Sequence, residues 1–316
     1  MAATYPTLAG LVKINDLNDA DIDVTDLLQD APVLAQLAAV MASNGTVHSY
    51  LKETGAPVVG FRAVSVGREH SASSDTEVTA TLKLLDATWS VDQGLARGFA
   101  KGGLSAYLAR ESARQLKAAM FATEKQILNG VIGIGDAGGF VGLRDSLLIA
   151  NAMTVNATGD TATTGSSMYG IRTGNDNRDL AVVAGGTDGT PTIEIGETVG
   201  IEKTSSGDLT YPAWMTPIFA YLGLQLGSAQ SIGRIANLTA QSGKGLTDAL
   251  IADLLAKFPA SRMPTFLTCS RRSLFQLQAS RTATNTTGAP APIPTESFGY
   301  PIITTDAIGN VEAIIS

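Results

Sequence analysis

Apolar and polar residues change rhythm several times along this chain, and the longest unbroken rhythm is helical. Between Lys101 and Asn129, residues Leu104, Leu108, Ser112, Leu116, Met120, Thr123 and Ile127 recur every three or four positions, while Arg110, Arg114, Lys117, Glu124 and Lys125 lie largely off that face. The stretch lacks proline, opens at Gly102-Gly103 and closes at Asn129-Gly130, which predicts one helix over 101–129. At about 1.5 Å of rise per residue it would be roughly 40 Å long, and its apolar face requires a partner.

Elsewhere the pattern is strand or loop. Residues 1–29 are poor in apolar side chains and rich in Asp and Asn, which predicts an arm that leans on something else. Asp30-Ala31-Pro32 followed by VLAQLAAVMA predicts a short buried helix that stops at Ser43-Asn44-Gly45. From Leu51 to about Leu95 the period is two. Phe61, Ala63 and Ser65 share one side of a run, Val78, Ala80, Leu82 and Leu84 share one side of another, and the polar VGREHSASSD joins them. That is the form of a long β-hairpin with little core of its own, for which a neighbouring chain is the natural support.

SMYGIRTG and DLAVVAGG read as strands. The clearest alternation runs through Ile193, Ile195, Val199 and Ile201, and resumes at Ile218, Ala220, Leu222, Leu224 and Leu226 after YPAWMTP, predicting antiparallel strands of a half-buried sheet. GLTDALIADLLAKF carries a helical stripe at Leu246, Leu250, Leu254 and Phe258. PTFLTCSRRSLFQLQAS is a buried strand running into a helix; a Thr/Pro/Ala-rich loop (282–295) and the strand FGYPIITTDAI follow.

Composition then excludes several classes of function. With 44% apolar and 16% charged residues in 316, a sizeable buried core is expected and global disorder is not. The net charge of −7 lacks the basic footprint of a protein that grips nucleic acid through phosphates, although the chain could enclose it. Cys269 is the only cysteine and His48 and His70 the only histidines, so there is no disulfide framework and no zinc constellation. Cys269, closing a buried strand, reads as a core thiol and not as a nucleophile. Gly133, Gly135 and Gly138 formally spell G-x-G-x-x-G, but a dinucleotide site needs a strand before the glycines and here a helix precedes them. Gly243-Lys244-Gly245 lacks phosphate-loop spacing, with Leu246 where Ser or Thr would stand. The expectation is therefore no catalytic residue, no cofactor-binding residue and no metal ligand.

MAATYPTLAG has neither a basic start nor an apolar run, so no signal peptide is expected, and the Asn-x-Thr sequons at Asn44, Asn156, Asn237 and Asn285 read as chance. Pro212, Pro217 and the polar residues of Tyr211–Gly233 argue against a membrane span.

Taken together, SSMYGIRTG, YLGLQLGSAQSIGRIANL, PTFLTCSRRSLFQL and FGYPIITTDAI, in this order around a long helix, resemble the major capsid proteins of tailed bacteriophages, whose Hong Kong 97-type fold encapsulins share. The resemblance covers essentially the whole chain and carries no catalytic motif. It implies an α+β Hong Kong 97-like capsid fold in four parts. These are an N-terminal arm with a short helix (1–50), an E-loop hairpin (51–100), a P-domain with the spine helix 101–129 and a peripheral sheet (101–245), and an A-domain (246–316). The implied function is a structural, non-enzymatic subunit of an icosahedral shell of hexamers and pentamers. It would enclose double-stranded DNA without sequence-specific binding, assemble in the bacterial host cytoplasm and reside in the virion. Scaffold, portal and decoration proteins are the implied partners, with no membrane involved. An encapsulin-like compartment around a cargo enzyme is the alternative. A departure from the usual order implies permuted connectivity: strands in 166–173 and 217–236 should both lie in the peripheral sheet beside the spine, with the chain ending near Pro301–Thr305.

Overall fold

The computed structural model describes residues 12–14, 28–55, 57–69, 71–98, 103–131, 134–186, 193–204, 210–285 and 289–315. Its spine is a single helix, Gly103–Asn129, whose predicted face is the buried one: Leu108, Ser112, Leu116, Met120, Thr123 and Ile127 are all inside. A six-stranded sheet beside it runs in the order β1 (Val12–Ile14), β10 (Ile193–Ile195), β13 (Ile218–Leu226), β9 (Leu180–Gly185), β2 (Ala39–Met41), with β5 (Lys83–Asp86) also paired to β13. A second six-stranded sheet has the order β16 (Glu296–Ser297), β17 (Tyr300–Thr304), β15 (Phe266–Cys269), β8 (Ser166–Ile171), β14 (Ile232–Leu238), β7 (Thr154–Asn156). A three-stranded sheet, β11 (Val199–Thr204), β12 (Thr210–Thr216) and β6 (Trp89–Asp92), adjoins the first, and β3 (Val47–Gly55) with β4 (Ser74–Thr81) forms a separate hairpin. Including the spine, α2, the helices are α1 (Gln93–Arg97), α3 (Leu143–Ser146), α4 (Asp248–Leu255) and α5 (Arg271–Ala283). Side chains from both large sheets, the spine and α4 form one continuous apolar cluster.

Three neighbouring strand paths pass from the first sheet into the three-stranded one at the same line. β10 leads to β11, β13 is reached from β12 through Pro217, and β5 leads through Ala87-Thr88 to β6. The amide of Gly196 donates to Pro217 O (2.8 Å) and that of Ala87 to Ile218 O (2.8 Å), so the crossings are tied to one another. YPAWMTP, expected to separate two strands, is itself mostly strand β12, and the proline that follows makes the bend.

Two further expectations are corrected. The helix expected after Asp30 is a run of turns over 32–36 followed by strand β2, which pairs in parallel with β9. The segment is buried as expected, and Ala35 N–H and Leu37 N–H make helical bonds to Ala31 O and Val33 O (both 3.2 Å), but Leu34 N–H donates instead to Glu124 Oε2 (2.9 Å) and Ala38 N–H to Thr173 Oγ1 (2.9 Å), which interrupts the helical ladder. The arm expected over 1–29 falls outside the described residues apart from β1 and residues 28–29.

The strands 166–173 and 217–236 do not share one peripheral sheet. β13 lies beside the spine, where Leu222 lines a cleft with Ala122, Thr123 and Gln126, but β8 and β14 pair into the sheet of β15 and β17. The expected boundary at 245/246 therefore cuts through a sheet. Alternation specifies which face of a strand is buried and not which strand lies next to it. Nor does the chain end beside β17: after Thr305 it crosses the strand ends to β14, where Asn237 Nδ2 donates to Ile315 O (2.8 Å) and Asn237 Oδ1 accepts from Ile315 N–H (3.0 Å).

β16 and β17 are joined by the two-residue turn Phe298-Gly299, in which both residues have positive φ (51° and 80°). Glycine adopts that conformation freely, but an aromatic residue there stores about 1–3 kcal/mol of strain.

Leu116 is completely buried on the spine. Leu116→Asp should therefore remove several kcal/mol, comparable with a typical whole stability margin of about 5–15 kcal/mol. The expected outcome is insoluble or protease-sensitive protein; a soluble, assembly-competent variant would show that this face is not the one supporting the fold.

Candidate assembly surfaces

The β3–β4 hairpin is fixed only at its root. The ladder runs from Val47↔Thr81 to Gly55↔Ser74. At the base, His48 Nε2 meets Gln225 Oε1 at 2.7 Å and the ring stacks on Tyr50, whose hydroxyl accepts from Leu226 N–H (3.4 Å). Burial raises the Tyr50 pKa above its ordinary value. Beyond Gly55 no ladder continues, so the expected strand through Phe61 is instead part of the tip. That tip is held by Arg68, which donates to Gly60 O (2.8 Å) and Val58 O (2.9 Å), and by the Val58 amide donating to Ser71 Oγ (3.1 Å). Val58, Val59, Phe61, Val64 and Val66 all face solvent, Phe61 with 108% relative exposure. The tip is therefore longer and more apolar than the polar run 66–75 predicts, because the alternation at Phe61, Ala63 and Ser65 imitates a strand. His70 lies outside the described residues. Covering apolar surface releases about 25 cal/mol per Å², so this patch is a ready source of association energy.

Inside the subunit, buried polar groups tie distant segments together. Arg234, one of the largest fully buried side chains, donates to Ser167 Oγ (2.9 Å), Leu147 O (3.0 Å) and Glu312 Oε2 (3.1 Å), and Arg144 approaches the same carboxylate at 3.9 Å. The backbone of Glu312 also exchanges both hydrogen bonds with Gly165 (2.9 and 3.0 Å). This knot binds the C-terminal segment to β8 and β14. The sequence signal for it is a lone Arg within the apolar run IGRIANL. Burial pushes the Tyr169 hydroxyl, next to Arg234, up to about 12, and the Cys269 thiol up to about 12, so the thiol stays neutral in the core.

The glycine-rich stretch after the spine is a packed turn. The Gln126 amide donates to Phe140 O (2.6 Å) and accepts from Asp136 N–H (2.6 Å). A Cβ on Gly135 would sit 2.2 Å from the Gly130 carbonyl oxygen, a backbone atom, so the close approach requires glycine there. Gly133 is outside the described residues. Lys244 Nζ donates to Thr158 Oγ1 (2.6 Å) from the loop that precedes α4. Among the described residues, no group of three or more His, Cys, Asp or Glu is placed to hold a metal, and no helix is long and apolar enough to cross a membrane.

Outside the core lies an open cleft of about 650 Å³ between the spine and the end of β17. Pro32, Ala118 and Phe121 supply apolar surface, with Arg114, Lys117, Arg271, Asp30 and Asp306 around them.

Replacing Arg234 by alanine leaves the Glu312 carboxylate buried with the Ser167 hydroxyl (2.7 Å) and the longer Arg144 contact as its partners, a change that typically removes about 3–5 kcal/mol. The urea midpoint should fall accordingly; an unchanged midpoint would show that the knot contributes nothing. Glu124 gives a second test. Burial raises its carboxyl above the ordinary range, against hydrogen bonds from Thr305, Leu34 and Val33. The folded chain thus keeps a proton the unfolded chain releases, and stability declines as pH rises from the ordinary carboxylate range toward the raised value. Glu124→Gln should flatten that slope in thermal unfolding followed across pH.

The family model of Major capsid protein GP7 matches residues 16–316. A solved structure of bacteriophage Epsilon15 superimposes with a TM-score of 0.61 at 16% identity, covering 89% of this chain and 88% of that one. The bacteriophage JBD30 capsid aligns over 94% of this chain and 95% of its own at 10% identity and a TM-score of 0.47. The SrpI encapsulin complex of Synechococcus elongatus PCC 7942 aligns over 66% of this chain and 88% of its own at 6% identity and a TM-score of 0.41. Comparison with the curated proteins finds no match. A spine helix flanked by sheets, a hairpin with an uncovered apolar tip and a match across nearly the full length lead to one conclusion: the chain has the Hong Kong 97-like fold and belongs to the GP7 family of major capsid proteins, shell subunits of the virion.

Proposed function

We propose that this subunit closes an icosahedral shell of hexamers and pentamers around double-stranded DNA and performs no catalysis of its own. The observation that carries the reading is the β3–β4 hairpin, a two-stranded arm with an apolar tip in water, which is marginal alone and needs a neighbouring subunit to cover it. In this reading the hairpin is the E-loop. The spine with the β13 sheet is the peripheral domain, and the β7-to-β17 sheet with α4 and α5 is the axial domain. The net charge of −7 suits a wall that confines nucleic acid without adhering to it. A separate scaffold, a portal and decoration proteins are the further partners, and assembly takes place in the bacterial host cytoplasm.

Negative-stain microscopy of the purified protein should show closed shells, and only compact monomers under every assembly condition would count heavily against the proposal. Deleting residues 57–73 should leave a subunit with near-normal thermal stability that forms no closed shells. Normal shells from the deletion would remove the hairpin from the mechanism.

A further inference from the structure

Phe298 combines two features that nothing within the subunit offsets. Its backbone is left-handed, with φ of 51°, and its side chain is 58% exposed. Two-residue hairpin turns of this hand favour Asn or Asp before Gly, because a short polar side chain tolerates the conformation and an aromatic ring does not. The turn is also braced from behind. Asp248 accepts two hydrogen bonds from Arg281 (both 2.7 Å) and one from the Ser297 hydroxyl (2.8 Å), and Arg281 also donates to Glu296 O (3.2 Å). Hydrogen bonding to Arg281 holds the Asp248 carboxyl below its ordinary range, so the brace is charged at neutral pH. The result is a rigid knob bearing an aromatic ring, with exposed Glu296 at its base.

We propose that this knob seats in the cleft between the spine and Asp306 of a neighbouring copy of the chain, joining subunits head to tail; the inference rests on the shell reading above. Three observations favour a second copy as the occupant. The knob's surroundings, Glu296 and Asp248 against Arg281, are acidic by one charge, which disfavours nucleic acid. The cleft, with Arg114, Lys117 and Arg271 against Asp30 and Asp306, is basic by one, and Pro32, Ala118 and Phe121 offer the ring an apolar seat. Arg114 and Arg271 are engaged only in exposed pairs, with Glu111 (3.4 Å) and Asp306 (3.3 Å), which exchange partners readily. Finally, the knob precedes β17 and the cleft follows it, so the two surfaces stand at opposite ends of one strand. Distinct surfaces of this kind make a heterologous contact, the type that closes into rings.

Phe298→Asn separates the proposal from a folding role, since it relieves the backbone strain and removes the ring together. The variant subunit should melt at or above the wild-type temperature, while shell yield, read by sedimentation and microscopy, falls by about tenfold or more. Glu296→Arg should also impair assembly, and adding Arg114→Glu should restore it. Normal shells from Phe298→Asn would overturn the inference, including the case in which those shells lose only an accessory protein. A Phe298→Asn subunit that melts well below wild type would assign the ring to the fold, and failure of the charge exchange to restore assembly would exclude the cleft. Wild-type protein that builds no shell would sink the shell reading itself, a different outcome from any of these.

Discussion

The last two turns of the spine hold four buried polar side chains, of which Thr123 bonds within the helix and the other three reach beyond it, because an unpaired polar group in a core is costly. Glu124 takes the amide of Leu34 and the hydroxyl of Thr305. Gln126 ties Asp136 to Phe140 in the glycine turn, and Asn129 donates to Ala307 O (2.8 Å). Segments from the start, middle and end of the chain therefore meet on one helix end. The apolar face of the spine supplies the energy of the core, but these three residues decide which segments it gathers and in what register.

Much of this architecture was visible in the residues. The spine was legible because a three-to-four-residue apolar period sustained over many turns has no other use, and every interior position predicted for it from Leu108 onward is buried. β13 was legible for the same reason at period two, and β8, β9 and β15 as short apolar runs. Glu124 was read as lying off the apolar face, since a charge is normally solvated and nothing local announces a partner 181 residues away. The segment after Asp30 has the composition of a helix, yet two of its amides answer to Glu124 and Thr173, a tertiary demand that propensity does not contain. Sheet membership failed similarly: β13 and β14 are nearly consecutive and equally apolar, but they belong to different sheets.

The subunit places charge and aromatic surface contrary to the usual habit of globular proteins. Arg234 and Glu312 are sealed in the interior while Phe61 and Phe298 stand in water. The buried pair finds its charge partner within the chain, so it fixes the internal geometry from inside. The exposed rings have no such cover within the described residues, and in the proposed assembly neighbouring copies supply it. In a family whose members are shell subunits, this division separates what each copy settles alone from what the assembly settles together.

The shared line at which three strands change sheets has a mechanical consequence. Adjacent strands in most packed sheets are held to another sheet by side-chain contact, and such layers can shear. Here a pull on the β11–β12–β6 sheet is transmitted along three peptide chains in parallel, with Gly196, Pro217 and Ala87 cross-tied where they bend. Covalent backbone carries the tension, and hydrogen bonds carry only the torque. The two sheets therefore respond to load as one creased plate that can fold about its crease but cannot peel apart, a property suited to a wall stressed from within.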